Sequence, residues 1–267
     1  MLTIKNYVKV QSLEEAWQLN QKKKNRILGG MLWLKMGKRT IQTAIDLSDL
    51  GLDTIEETED SFSIGCMTTL RQLETHSGLL AYTDGAIKES VCHIVGVQFR
   101  NLATVGGSLA GRFGFSDVLT MFLSMDSYVE LYKGGIVPMA EFAASGCGND
   151  ILVRVLVKKT PMDFHYSFVR NAKTDFPILT CAASKTDTNS WRFAIGARPA
   201  RAILLEDTKQ ILSGEITSES AALFGEYAAD AVPTGSNMRG SAVYRSHLVK
   251  VLTTRAIKKL GGIAHAD

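Results

Sequence analysis

Apolar and polar positions along the chain fall into short alternating runs separated by a few helical stretches. Residues 8–10 read as a short strand, and Ser12-Leu13-Glu14-Glu15 has the S-x-x-E spacing of a capping box. A helix should therefore start at Ser12, with Leu13 and Trp17 on one face, and stop near the lysines at 22–24, because cations suit a helix C-terminus. Arg26-Ile27-Leu28 is long enough only for a strand end. Gly29-Gly30 follows at once, then the apolar stretch 31–36 and a strand at 43–47, which together predict a small α/β unit.

The pattern changes after residue 53. Residues 60–66 alternate like a half-buried strand, and Thr68-Thr69 opens an amphipathic segment through Leu70 and Leu73. A glycine-rich segment spans 97–111, Ser116-Asp117 is a helix start for the apolar stretch 118–125, and strands are predicted at 128–132 and 151–157. Further strands are expected at 165–169, 178–183 and 191–195, followed by helices. In the last of these, over 242–260, Leu248, Leu252, Ala256 and Leu260 recur every four residues. There is no internal repeat and no low-complexity segment. The chain reads as α+β in three parts: 1–55, 56–160 and 161–267.

With 267 residues and 45% hydrophobic content there is material for packed cores. Thirty Lys and Arg against 27 Asp and Glu leave a net charge of +3, without a block of like charge, so nucleic acid is not an expected partner and a small molecule is. Cys66, Cys92, Cys147 and Cys181 lie far apart and never form C-x-x-C, so no metal site is expected and the thiols read as small buried hydrophobes. The start of the chain lacks a secretory pattern, and no apolar run approaches the roughly 18 residues of a membrane span, so the expectation is a cytoplasmic, soluble protein.

Two glycine pairs, Gly29-Gly30 and Gly106-Gly107, invite chemistry. Bare glycine amides that can take positive φ converge on a phosphate oxygen as an anion nest, and a diphosphate needs two sets of donors. Neither G-x-G-x-x-G nor G-x-x-x-x-G-K-[ST] is present, which argues against Rossmann and P-loop enzymes.

The order Ile27-Leu28-Gly29-Gly30, Ala44-Ile45-Asp46-Leu47, Ile64-Gly65-Cys66-Met67-Thr68-Thr69 and Arg100-Asn101-Leu102-Ala103-Thr104-Val105-Gly106-Gly107-Ser108-Leu109-Ala110 resembles the FAD-binding (medium) subunit of the molybdenum hydroxylases. That family includes the medium subunit of carbon monoxide dehydrogenase and the flavin domain of xanthine dehydrogenase. The resemblance continues through Gly196-Ala197-Arg198-Pro199-Ala200-Arg201 and Arg239-Gly240-Ser241-Ala242-Val243-Tyr244-Arg245 and covers nearly the whole chain. It implies a two-subdomain FAD-binding fold, a small α/β unit plus a mixed or antiparallel sheet unit, followed by a small C-terminal domain of sheet plus helices.

The resemblance implies that the FAD diphosphate rests on Ile27, Leu28, Gly29, Gly30, Met31, Leu32 and Trp33, and on a second turn with Ala103, Thr104, Gly106, Gly107, Ser108, Ala110 and Gly111. Asp117 falls near the adenosine end, Ile151 and Leu152 on a strand edge lining the flavin pocket, and Ile94 and Val95 beside the flavin. No side chain is expected to act as acid or base, because the ring system carries the redox chemistry. Partners implied are a molybdopterin-binding large subunit and an iron–sulfur small subunit, with electrons leaving to NAD(H) or another acceptor. Two alternatives stand beside this: a stand-alone FAD-dependent oxidoreductase, and a non-catalytic subunit that has lost FAD.

The chain departs from the family pattern where Met31-Leu32-Trp33 replaces the usual hydroxyl residue and acid, and where Ser108 stands for Asn; it also lacks the cysteine-rich loop of some relatives. His76, His93, His165, His247 and His265 show neither H-x-x-H nor carboxylate spacing. Arg170, Lys173 and Asp175 form a polar cluster heading the third part, read equally as flavin-facing or as a solvated turn. Trp33 is a stacking or a core residue, and Tyr244 and Arg245 are expected to fasten the C-terminal helices.

Overall fold

The computed structural model describes residues 1–263. Its elements in chain order are β1 (Thr3–Lys9), α1 (Leu13–Asn20), β2 (Arg26–Leu28), β3 (Thr40–Asp46), β4 (Ile55–Glu57), β5 (Ser61–Gly65), α2 (Leu70–Thr75), α3 (Ser77–Tyr82), α4 (Ala86–Val91), α5 (Val97–Arg100), α6 (Val105–Ala110) and α7 (Asp117–Ser124). After these come β6 (Ser127–Leu131), β7 (Gly135–Pro138), α8 (Met139–Ser145), β8 (Leu152–Lys158), β9 (Met162–Arg170), β10 (Pro177–Thr186), β11 (Trp191–Gly196), β12 (Ile203–Leu205), α9 (Ser218–Ala231) and α10 (Ala242–Leu260). Tertiary contacts sort them into two units. The first takes Met1–Leu73, Gly96–Gly111 and Ser127–Lys158; the second takes Glu74–Val95, Arg112–Asp126 and the chain from Lys159 on.

In the first unit, β1, β3 and β2 form a parallel sheet in that order, with β3 central because Ile41, Ala44 and Ile45 are all buried. Helix α1 begins where the capping spacing places it: Ser12 Oγ accepts from the Glu15 amide, while the Glu15 carboxylate reaches back to the Gln11 N–H at 2.9 Å. Strand β1 starts earlier than its apolar pattern suggests, since the edge position leaves it mostly exposed and pairing with β3, not burial, sets its length. The second sheet is antiparallel, β4-β5-β8-β6-β7. Its period-two alternation buries Phe62 and Ile64 on β5, Val153, Val155 and Val157 on β8, and Val129 on β6.

The second unit is built on an antiparallel sheet, β12-β11-β10-β9. Helices α9 and α10 share its core, with Phe224, Ala228, Leu252, Ala256 and Ile257 in one cluster with Leu179, Cys181, Phe193 and Ile195. Each large apolar side chain sealed there contributes about 1.5–3 kcal/mol. The two helices approach closely at Gly225, where a Cβ would lie 2.3 Å from Thr254 Oγ1 and 2.9 Å from the Lys250 carbonyl. Arg245 is fully buried and donates to the carbonyls of Ile178, Gly235 and Gly240 and to Asn237 Oδ1, so it does fasten the start of α10. Helix α7, capped by Ser116, is buried along its whole length and meets β10 through Thr120 Oγ1 and Thr180 Oγ1 at 3.1 Å. Among the described residues no helix is long and apolar enough to cross a membrane.

Candidate functional site

Strand β2 ends at Leu28, and the chain leaves the parallel sheet through Gly29-Gly30. A Cβ on Gly29 would lie 2.7 Å from Thr104 Oγ1 and 3.6 Å from Gly107 Cα, so the two glycine segments lie against each other. Neither Gly29 nor Gly30 takes a positive φ; the left-handed residue is Met31, at φ 59°. Glycine is required here for close backbone approach. Among the described residues no group accepts a hydrogen bond from the amides of Gly29, Gly30, Met31 or Leu32. A run of unpaired N–H groups around a left-handed residue is an anion-binding concavity.

The second glycine pair is not a turn. Gly106 and Gly107 lie in the first turn of α6, capped by Thr104, whose Oγ1 accepts from the Gly107 amide at 3.1 Å. The Val105 amide donates to the Thr68 carbonyl and the Gly106 amide to the Cys66 carbonyl, both at 2.8 Å. These amides, expected as the second donor set, are thus engaged within the chain. What this segment leaves beside Gly29 is Thr104 itself: its hydroxyl, and its N–H, which finds no acceptor among the described residues. The threonine three residues before Gly107 was the sequence signal for this cap.

Behind the cradle the Cys66 amide ties the backbone to β8 through the Val153 carbonyl at 2.9 Å, and the Leu70 amide ties it to the segment before α6 through the Ala103 carbonyl at 2.8 Å. Burial pushes the Cys66 thiol up to about 12, so it packs without reacting. Ile151 and Leu152 are buried at the start of β8, Ser108 Oγ donates to the Thr104 carbonyl, and Ala110 and Gly111 close α6. Trp33 is 37% exposed and meets Phe99 edge-on at 6.2 Å.

The family described as the FAD binding domain in molybdopterin dehydrogenase matches residues 2–157. This chain is an FAD-binding subunit of the molybdenum hydroxylase family. The subunit's residues 164–260 match the CO dehydrogenase flavoprotein C-terminal domain. Similar proteins include YgfM of Escherichia coli K12, 24% identical over 258 residues and 93% of both chains. The nicotine 6-hydroxylase medium subunit of Paenarthrobacter nicotinovorans is 26% identical over 274 residues and 96% of both. A chain of Cu,Mo-CO dehydrogenase, 22% identical, shares the fold with a TM-score of 0.88 over 99% of this chain and 100% of its own. The cofactor of the subunit is FAD.

The other residues expected to touch FAD belong to the second unit. Ile94 donates its amide to the Val91 carbonyl at 2.9 Å, and Val95, although β-branched, sits at φ 52°, a conformation such residues rarely adopt. Asp117 is the first residue of α7 and is buried. Its Oδ1 accepts from Arg170 at 2.7 Å and from the Tyr166 hydroxyl at 2.6 Å. Burial pushes the carboxyl above its ordinary range, against the pull of Arg170 and Tyr166. Arg170 also donates to the Asp175 carbonyl oxygen at 2.6 Å, and Asp175 pairs with Arg239 at 3.3 Å, whereas Lys173 stays exposed.

Of the histidines, His76 caps α3 by accepting from the Leu79 amide at 3.2 Å, and His265 lies outside the described residues. His93 does have a carboxylate at helical spacing: its Nε2 is 3.2 Å from Glu89 Oε1. The expectation of no such spacing is corrected by this pair, because an E-x-x-x-H interval becomes a contact once it is wound at the end of a helix.

Proposed function

We propose that this subunit is the electron-transfer flavoprotein of a cytoplasmic hetero-oligomer of the xanthine dehydrogenase type. It takes electrons from iron–sulfur centres in a small partner subunit, which are fed by a molybdopterin-binding large subunit. It passes them on to NAD+ or another acceptor. The observation that carries the reading is the run of amides at residues 29–32, set beside Thr104, that find no acceptor among the described residues. FAD, when bound, supplies the redox chemistry. The chain's share is positional: neutral amides at residues 29–32, with the Thr104 N–H and hydroxyl, hold the diphosphate without placing a charged side chain on it. The medium-subunit name of the nicotine 6-hydroxylase relative supports a place inside a larger complex.

The purified subunit should release FAD and not FMN on denaturation, since the cradle serves a diphosphate that FMN lacks. In anaerobic spectra NADH should bleach the flavin of the subunit alone, while purines or aldehydes should do so only after the molybdenum and iron–sulfur subunits are added. Catalytic reduction of the isolated chain by a specific organic substrate would replace this reading with a stand-alone oxidoreductase.

A further inference from the structure

Outside the cofactor cradle, three residues of different ligand chemistry converge at the end of α4. Cys92 is the helix C-cap, and Glu89 lies three residues before it and four before His93, so its carboxylate is within reach of both. Glu89 Oε1 is 3.2 Å from His93 Nε2, Glu89 Oε2 is 3.9 Å from Cys92 Sγ, and one ligand atom from each residue lies within 4.8 Å of the others. A tetrahedral zinc ion, with bonds of about 2.0–2.3 Å, holds its ligand atoms roughly 3.3–3.6 Å apart. The Glu89–His93 and Glu89–Cys92 separations thus stand close to that spacing before any ion arrives.

Their backing is firm. Ala86, Ile87, Ser90 and Val91 are buried and anchor α4, and the His93 ring packs on Phe168 of β9 with centroids 5.0 Å apart. Access is open on the other side, where the Glu89 side chain is 49% exposed and the His93 side chain 17%. Thiolate, imidazole and carboxylate together favour a borderline-soft divalent cation, whereas calcium and magnesium prefer oxygen alone.

We propose that Glu89, Cys92 and His93 form a zinc site with three protein ligands and one water. On binding, the Cys92 S–H bond breaks, its proton passes to solvent and an S–Zn bond forms, with no change of oxidation state. His93 directly precedes Ile94 and the left-handed Val95, so the ion fixes the entry to that strained segment.

The test is a cobalt titration of the chelator-treated, FAD-loaded full chain. Difference spectra should show a thiolate-to-cobalt charge-transfer band that saturates at one equivalent and is displaced by Zn2+. Cys92→Ser should abolish the band and Cys147→Ser leave it intact. His93→Ala and Glu89→Gln should each weaken cobalt binding by at least about tenfold. The absence of the band, its survival in Cys92→Ser, or unchanged affinity in both other variants overturns the site. FAD content, read from the same samples, reports folding; if Cys92→Ser fails to fold, His93→Ala decides. Since FAD is scored separately, failure here leaves the flavoprotein reading standing.

Discussion

A Cβ on Gly30 would lie 1.9 Å from the carbonyl oxygen of Leu102. That overlap is with backbone, which cannot swing aside, so the loop after β2 and the segment leading into α6 fit together only while residue 30 has no side chain. Gly30→Ala should lower both flavin content and thermal stability. Gly107→Ala, whose added carbon meets only the Thr104 Oγ1 at 2.9 Å, should be milder. Gly106→Ala, which meets both Cβ and the carbonyl oxygen of Cys66 at 2.7 Å, should cost the apo-protein about 1–3 kcal/mol. Denaturant melts with and without FAD separate the three.

Thr104 combines a helix cap with a candidate donor. Thr104→Val keeps the shape and removes the hydroxyl, so it should lose about 0.5–2 kcal/mol of apo stability and, beyond that, weaken FAD binding. Thr104→Ser should restore both. FAD titration of the two variants checks the split, and a Val variant that binds FAD normally would reduce Thr104 to a cap.

For Asp117 the expected outcome is structural. Removing its carboxylate strands the Arg170 guanidinium, whose side chain is 3% exposed, so Asp117→Ala should cost about 3–5 kcal/mol in the apo-protein. The folded fraction should bind FAD as before. Weakened affinity at unchanged stability would instead place Asp117 on the cofactor.

Glu14 offers a pH test. Hydrogen bonds from Lys133, Gln18 and Tyr132 hold its carboxyl at about 2, below the ordinary 4.5. A folded-state pKa below the unfolded one means stability that is fully present above about 4.5 and lost as pH falls toward 2. Glu14→Gln should therefore melt slightly lower than the parent at neutral pH, with the gap closing over that acid range. Because the pair is exposed, added salt should shrink it too. Melting curves across pH and ionic strength measure this.

Local signals were readable wherever a residue acts on its own neighbours. Ser12 and Ser116 cap the helices their spacing implies, and the four-residue recurrence of Leu248, Leu252, Ala256 and Leu260 runs along α10 to its C-terminal end. The two glycine segments marked in the sequence do lie against each other, but which of their amides are left without an acceptor among the described residues was not legible. The amides of Gly106 and Gly107 are taken by Cys66 and Thr104, a matter of packing that no local pattern records. The Asp117–Arg170 pair spans 53 positions and was invisible for the same reason. The Glu89, Cys92 and His93 group was within reach of sequence reading, because its spacing is helical.

The threading of the chain between its two units also bears on how the protein is made. Helix α7 belongs to a unit whose sheet is encoded later: Thr120, whose hydroxyl donates locally to the Ser116 carbonyl, meets Thr180 only after another 60 residues. A nascent chain emerging from the ribosome therefore presents a helix that is buried along its whole length in the finished fold, before the sheet that covers it exists. Synthesis stalled near residue 160 would leave the first unit complete but α3, α4 and α7 of the second without the sheet they pack on, a client for chaperones until β9 to β12 are made.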